Sequence, residues 1–191
     1  DDLGAVRFVP LIGEEGWGVS GRAMAQGRSV SLVRPAPRPT TLAAIVTRGA
    51  EAFASAADPD LRPLLERIGK ARVVLLGEAS HGTAEFYEMR ARITRALIAE
   101  DNNVRIVAVE ADWPDARQVD RFVRGQSPDQ HPERAFTRFP TWMWANQQVL
   151  SFAKGLREWN EAQLGEAQVG FYGLDLYSLY ASIRSVLAYL D

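Results

Sequence analysis

The stretch Val73-Val74-Leu75-Leu76-Gly77-Glu78-Ala79-Ser80-His81-Gly82-Thr83 decides the fold. Its four consecutive apolar residues are too short a run for a helix and fit a strand buried on both faces. Gly77 and Gly82 bracket a polar turn. A long helix follows over residues 83–100. With Phe86 at 0°, Met89, Ile93 and Leu97 fall within about 60° of it at 3.6 residues per turn, which is a core-facing stripe. Arg92 and Arg95 fall on the opposite, solvent side. Further on, Ile106-Val107-Ala108-Val109 repeats the short apolar run as a second buried strand. A helix over 114–124 takes Pro114 in its first turn. A polar loop with some helix covers 125–140, one helix covers 141–163, Val169 to Leu174 is a third strand, and residues 178–190 are a last helix. On the N-terminal side, residues 41–55 and 60–69 read as helices. Strands that alternate with helices make βαβ units, so the class is α/β, with a parallel sheet flanked by helices in three layers.

Composition narrows the chemistry. The 191 residues include no cysteine, which removes disulfides, thiolate metal sites and cysteine nucleophiles. The only histidines are His81 and His131. Lys+Arg number 22 against 24 Asp+Glu, a net charge of −2, which argues against a nucleic-acid partner. No apolar run approaches the ~20 residues that span a bilayer, so no membrane partner is expected. Residues 1–40 carry Gly13, Gly16, Gly18, Gly21 and Gly27, then Pro35, Pro37 and Pro39, and read as an irregular segment. Gly13-Glu14-Glu15-Gly16-Trp17-Gly18 has the glycines of a phosphate loop but no lysine after them. Residues 41–191 read as an α/β domain. The start at Asp1 and the stop inside a helical pattern at Asp191 give the expectation of an incomplete domain. No secretory signal is legible, which favours the cytoplasm.

Each strand runs into acids: the first into Glu78, the second into Glu110 and Asp112, the third into Asp175. Ligands bind beyond the carboxyl ends of strands in open parallel sheets, so these acids gather at one edge. A strand-end acid can also simply cap the next helix. His81 lies three residues beyond Glu78, at the mouth of the sheet, where an imidazole beside carboxylates suits general-base work. Arg90 falls at about 40°, on the edge of the apolar stripe, and needs a partner because an unpaired buried charge is costly. Trp144 lies off the apolar stripe Trp142, Val149, Phe152, Leu156 and Trp159, and faces a second surface, a ligand cleft or another packed segment. Trp144, Asp112 and Asp175 are the candidate substrate-binding residues. His131 sits in the polar loop and is expected exposed, without a catalytic role.

These motifs together resemble the erythromycin esterase family. They are Gly77-Glu78-Ala79-Ser80-His81-Gly82-Thr83, Glu85-Phe86, Arg90, Val109-Glu110-Ala111-Asp112-Trp113-Pro114, Phe139-Pro140-Thr141-Trp142-Met143-Trp144-Ala145-Asn146 and Gly173-Leu174-Asp175. They run in the family's order over about residues 60–190. The resemblance implies a bacterial hydrolase of ester or lactone bonds, with macrolides as substrates and antibiotic resistance as the outcome. It implies an α/β core with added helices around a deep cleft. It assigns His81 as the general base on a water, with Glu78, Arg90 and Glu110 as the other catalytic residues. The family's further active-site histidines lie beyond position 191.

Three other readings stay open. Ser80 could be a nucleophile, since Glu78-Ala79-Ser80-His81-Gly82 imitates G-x-S-x-G with its first glycine replaced. Glu78, His81, Glu110 and Asp175 could hold a divalent metal, although the leading reading needs no metal and no cofactor. A truncated or degenerate domain could bind a ligand or a partner without catalysis, and would expose an apolar edge. The expected partner is a small-molecule ester or lactone, and nothing fixes the oligomeric state.

Overall fold

A computed structural model describes residues 6–11, 41–50, 55, 58–100, 104–137 and 141–190, with the backbone alone for residues 6–11 and for Glu78. The chain divides into two compact units, Asp1–Gly13 with Asp60–Asp191, and Glu14–Pro59. The second unit contains helix α1 (Leu42–Gly49), whose first turn is capped by the Thr41 hydroxyl accepting the Ala44 N–H at 3.2 Å.

The first unit runs β1 (Val6–Leu11), α2 (Arg62–Ile68), β2 (Val73–Glu78), α3 (Ala84–Ala99), β3 (Ile106–Asp112) and α4 (Trp113–Val123). A short 3-10 turn at Pro132–Ala135 precedes α5 (Thr141–Trp144), α6 (Gln147–Glu161), β4 (Gly170–Asp175) and α7 (Leu179–Leu190). The three expected strands and the helices α3 and α4 stand where the apolar pattern places them, and the chain is α/β with small parallel sheets flanked by helices. None of the helices, among the described residues, is long and apolar enough to cross a membrane.

Three expectations are corrected. Val6–Leu11, inside the segment read as irregular, is a strand parallel to β2, in register from Val6↔Val73 to Leu11↔Glu78. The glycine run at 13–18 lies outside the described residues. The strands form two parallel pairs, β1–β2 and β3–β4, and they are not buried on both faces. Val73, Leu75, Ile106 and Leu174 are exposed while Val169 and Phe171 are fully buried, because helices cover one face of the β3–β4 pair. The helix expected over 141–163 is broken. Asn146 has extended backbone, and its side-chain oxygen accepts the Val149 N–H at 2.9 Å, so a new helix starts there. The break takes Trp142 off the buried stripe, and it is 54% exposed.

The core lies between α4, α6 and β4. Val119, Phe122 and Val123 meet Ala153, Leu156, Val169 and Phe171 in one buried cluster. Asn160, fully buried on α6, ties the layers together. Its amide donates to the carbonyls of Val123 at 2.9 Å and Val169 at 2.8 Å, and its oxygen accepts the Val169 N–H at 2.7 Å. Strand β4 approaches the end of β3 so closely that a Cβ on Gly173 would lie 2.6 Å from the Ala111 carbonyl oxygen and 2.8 Å from Trp113 Cα. Glycine alone permits that register, which runs from Ile106↔Gly170 through an irregularity to Asp112↔Asp175.

Candidate active site

Every strand that the sequence marks delivers an acid at its carboxyl end. Glu78 closes β2, Glu110 and Asp112 close β3, and Asp175 closes β4. Asp112 and Asp175 are register partners on adjacent strands. Asp112 is buried and satisfied: one carboxylate oxygen accepts the backbone N–H groups of Tyr177 at 3.1 Å and Ser178 at 3.4 Å. Asp175 accepts the Leu176 N–H at 2.7 Å. The Tyr177 phenol stands among these acids. Burial, the charges of Asp175 and Glu110, a hydrogen bond to Asp175 and the charge of Asp112, in that order, push it up from its ordinary value. Glu110, Asp112 and Asp175 thus all act on one phenol at the end of the β3–β4 pair, while β2, which ends on Glu78, belongs to the other pair. The Glu78 side chain lies outside the described residues.

His81 occupies an exposed turn directly after β2. The turn is braced by the Ser80 hydroxyl, which accepts the Gly82 N–H at 3.1 Å. The next brace is longer. The Tyr87 hydroxyl on α3 lies 2.9 Å from the His81 carbonyl oxygen and 2.8 Å from that of Met143. Its ring meets Trp144 edge-on, with centroids 6.4 Å apart and planes at 83°. The Trp144 indole N–H then donates to the Glu110 carbonyl at 2.9 Å. A continuous line of contacts thus joins the His81 turn to the end of β3. Arg90, half-buried as the stripe argument expects, stacks its guanidinium 4.7 Å from the Tyr87 ring centre. Trp144 is buried in the core against Phe136 and Tyr87.

His131 sits apart on its loop, with Nδ1 3.3 Å from a Glu133 carboxylate oxygen. Among the described residues, no group of three or more His, Asp or Glu is placed to hold a metal ion. A cavity of about 800 Å³ is lined by Arg117, Arg121, Arg124 and Arg184 and by none of the candidate catalytic residues. Sequence reasoning missed Tyr87 and Tyr177. The first carries a signal, since it stands three residues before Arg90 on the same helix. The second follows Asp175 by two residues in a loop, where no periodicity speaks.

Two parallel strand pairs flanked by helices define an α/β protein, with Asp112 and Asp175 paired at the carboxyl ends of β3 and β4. Residues 99–191 match the erythromycin esterase family. Glu110, Asp112, Trp144 and Asp175 lie inside the match, and Glu78, His81 and Arg90 lie before it. The chain is 30% identical over 117 residues to "Erythromycin esterase type II" of Escherichia coli, a stretch that covers 61% of this chain and 26% of the relative. It is similar to a solved succinoglycan biosynthesis protein, at 24% identity and a TM-score of 0.60, covering 73% of this chain and 35% of the other. It is also similar to a Bacillus cereus protein of solved structure, at 26% identity and a TM-score of 0.58, covering 72% and 32%. The chain thus spans about a quarter of the length of the curated relative and about a third of each solved one.

Proposed function

We propose that this chain carries part of the active site of a hydrolase that opens ester or lactone bonds with a water activated by His81. The observation that carries the reading is the line of contacts from the His81 turn through Tyr87 and Trp144 to Glu110. It ties the turn that carries His81 to the backbone of β3 at Glu110, which supports the reading. In the proposed reaction, water adds to the acyl carbon as His81 takes its proton. The bond to the alkoxy oxygen then breaks, and the proton passes to that leaving oxygen. Glu78 or Glu110 orients the imidazole and stabilises its protonated form. Arg90 holds a carboxylate or the developing oxyanion. Asp112, Asp175 and Trp144 shape the substrate end of the site.

A macrolide lactone is the proposed substrate, by similarity to the Escherichia coli erythromycin esterase. The test is to incubate the full chain with erythromycin and with a simple aryl ester in 18O-labelled water. Products that gain one labelled water support the reading, and unchanged substrates contradict it.

A second reading, a domain that packs on a partner without catalysis, is favoured by one observation. Helix α7 exposes Leu179, Tyr180, Ile183, Leu187, Tyr189 and Leu190. Sedimentation of the full chain separates the two, since a monodisperse monomer that turns over ester removes it.

A further inference from the structure

We propose that the cavity between α4 and α7 binds a small molecule by a phosphate or pyrophosphate group. The site stands apart from the hydrolase reading, since none of His81, Arg90, Glu110, Asp112 and Asp175 lines it.

Charge is the first observation. Four arginines and two aspartates line the cavity, in a chain whose net charge is −2. Arg117, Arg121 and Arg124 come from α4 and its C-terminal cap, at positions i, i+4 and i+7. With 3.6 residues per turn they fall within about 60° of one another, on one face. Arg184 comes to the same cavity from α7. Arg117, Arg121 and Arg184 are exposed, and their guanidinium groups have no ion pair or hydrogen bond among the described residues. The acids do not neutralise them. Asp120 is engaged by Arg124, whose Nε donates to Oδ1 at 3.0 Å, and by the Phe171 N–H at 2.9 Å. Asp115 is buried in the first turn of α4. That is roughly 13 Å along the helix axis from Arg124, at 1.5 Å per residue. Like charges four residues apart weaken a helix. The helix dipole favours Arg121 and Arg124 at the end of α4, but it does nothing for Arg117 and Arg184 in mid-helix.

The second observation is that one guanidinium is held in place. Arg124 Nη2 donates to the Tyr172 hydroxyl at 3.1 Å while Nε holds Asp120. These bonds fix the planar fork and leave its Nη1 donors unused among the described residues. The pair sits over Gly170. A Cβ there would lie 2.7 Å from the Tyr172 hydroxyl and would also press on Arg124 Nη2. The glycine thus makes the room in which arginine and tyrosine meet. Guanidinium forks match phosphate oxygens in bidentate pairs, and several at one cavity suit a group with more than one negative charge. The cavity, about 800 Å³, has the size of a small-molecule site, ~300–1,000 Å³.

The test is calorimetric titration of the full chain with inorganic pyrophosphate. One saturable site with a Kd below about 1 mM is expected. Arg121→Gln and Arg184→Gln change exposed side chains, so the fold is not at stake. Each is expected to weaken binding by about tenfold or more, the usual worth of a charge-assisted hydrogen bond. Lys154→Gln removes the same charge from an exposed position on α6 outside the cavity, and is expected to stay within about twofold of the wild type. Citrate and hexaglutamate are expected to bind about tenfold more weakly than pyrophosphate. Absence of saturation in the wild type overturns the proposal. So does equal weakening by Lys154→Gln and Arg184→Gln, which would mean general attraction to the surface. Citrate binding as tightly as pyrophosphate would make the ligand a carboxylate. Tighter binding of hexaglutamate would make the cavity a dock for an acidic protein segment. Either result also overturns the assignment.

Discussion

The buried carboxylate of Asp112, at the end of β3, accepts the backbone N–H of Tyr177, which follows β4, at 3.1 Å. A side chain of one strand thereby fixes the loop that leaves its neighbour, and with it the phenol among Glu110, Asp112 and Asp175. Asp112→Ala is expected to cost about 2 kcal/mol, the usual worth of hydrogen bonds to a charged acceptor. Amide hydrogen exchange reads it directly. Tyr177 and Ser178 lose protection while the helix α6 amides keep theirs. Unchanged exchange at both amides refutes the tie.

Gly173 is required by space and not by backbone angle. Its missing Cβ would press on the Ala111 carbonyl and Trp113 Cα, both backbone atoms that cannot rotate away. Gly173→Ala is expected to destabilise the chain by about 3 kcal/mol, at the upper end for overpacking. A urea melt should show the midpoint fall at constant slope, and an unmoved midpoint would mean that the strands tolerate wider spacing.

Asn160 satisfies three backbone groups from α6, two on Val169 and one on Val123. Asn160→Leu fills the volume and leaves all three without that partner. The expected cost is about 4 kcal/mol, since each buried group left unpaired costs about 1–3 kcal/mol and such terms are not fully additive. Chemical denaturation of both proteins checks it, and a loss below about 1 kcal/mol would show that water replaces the side chain.

The Tyr177 phenol is raised by burial and by the neighbouring carboxylates. A group raised in the folded state contributes stability that is whole below its unfolded value, 10.0, and is lost as pH rises through the higher folded one. Alkaline titration followed by phenolate absorbance should show that Tyr177→Phe removes an ionisation lying above pH 10. If the removed step lies at or below 10, the phenol does not stand among the acids as described.

Much of this architecture is legible in the residues. The apolar runs at 73–76, 106–109 and 169–174 mark the strands, and the acid that ends each is in plain view. Short parallel strands and a 3.6-residue stripe are local signals, and local signals survive folding. Other features depend on partners far away in sequence. β1 hides among glycines and prolines because its pairing with β2 alone makes it a strand. The α5–α6 break hides because the apolar pattern runs on through Asn146, and the cap is a single polar atom. Tyr87 reads as one more aromatic beside Phe86 until its hydroxyl meets the Met143 carbonyl, 56 residues on. The strands expose one face because burial is set by what packs above them, which an apolar run does not encode.

The central claim is that His81 activates the water. The most direct measurement is kcat/KM for p-nitrophenyl butyrate in the full chain and in its His81→Ala variant, with His131→Ala as the control. The account predicts a loss of ~10²–10⁴-fold for His81→Ala, the usual worth of a general base, and none for His131→Ala. Equal rates for the wild type and His81→Ala would contradict it.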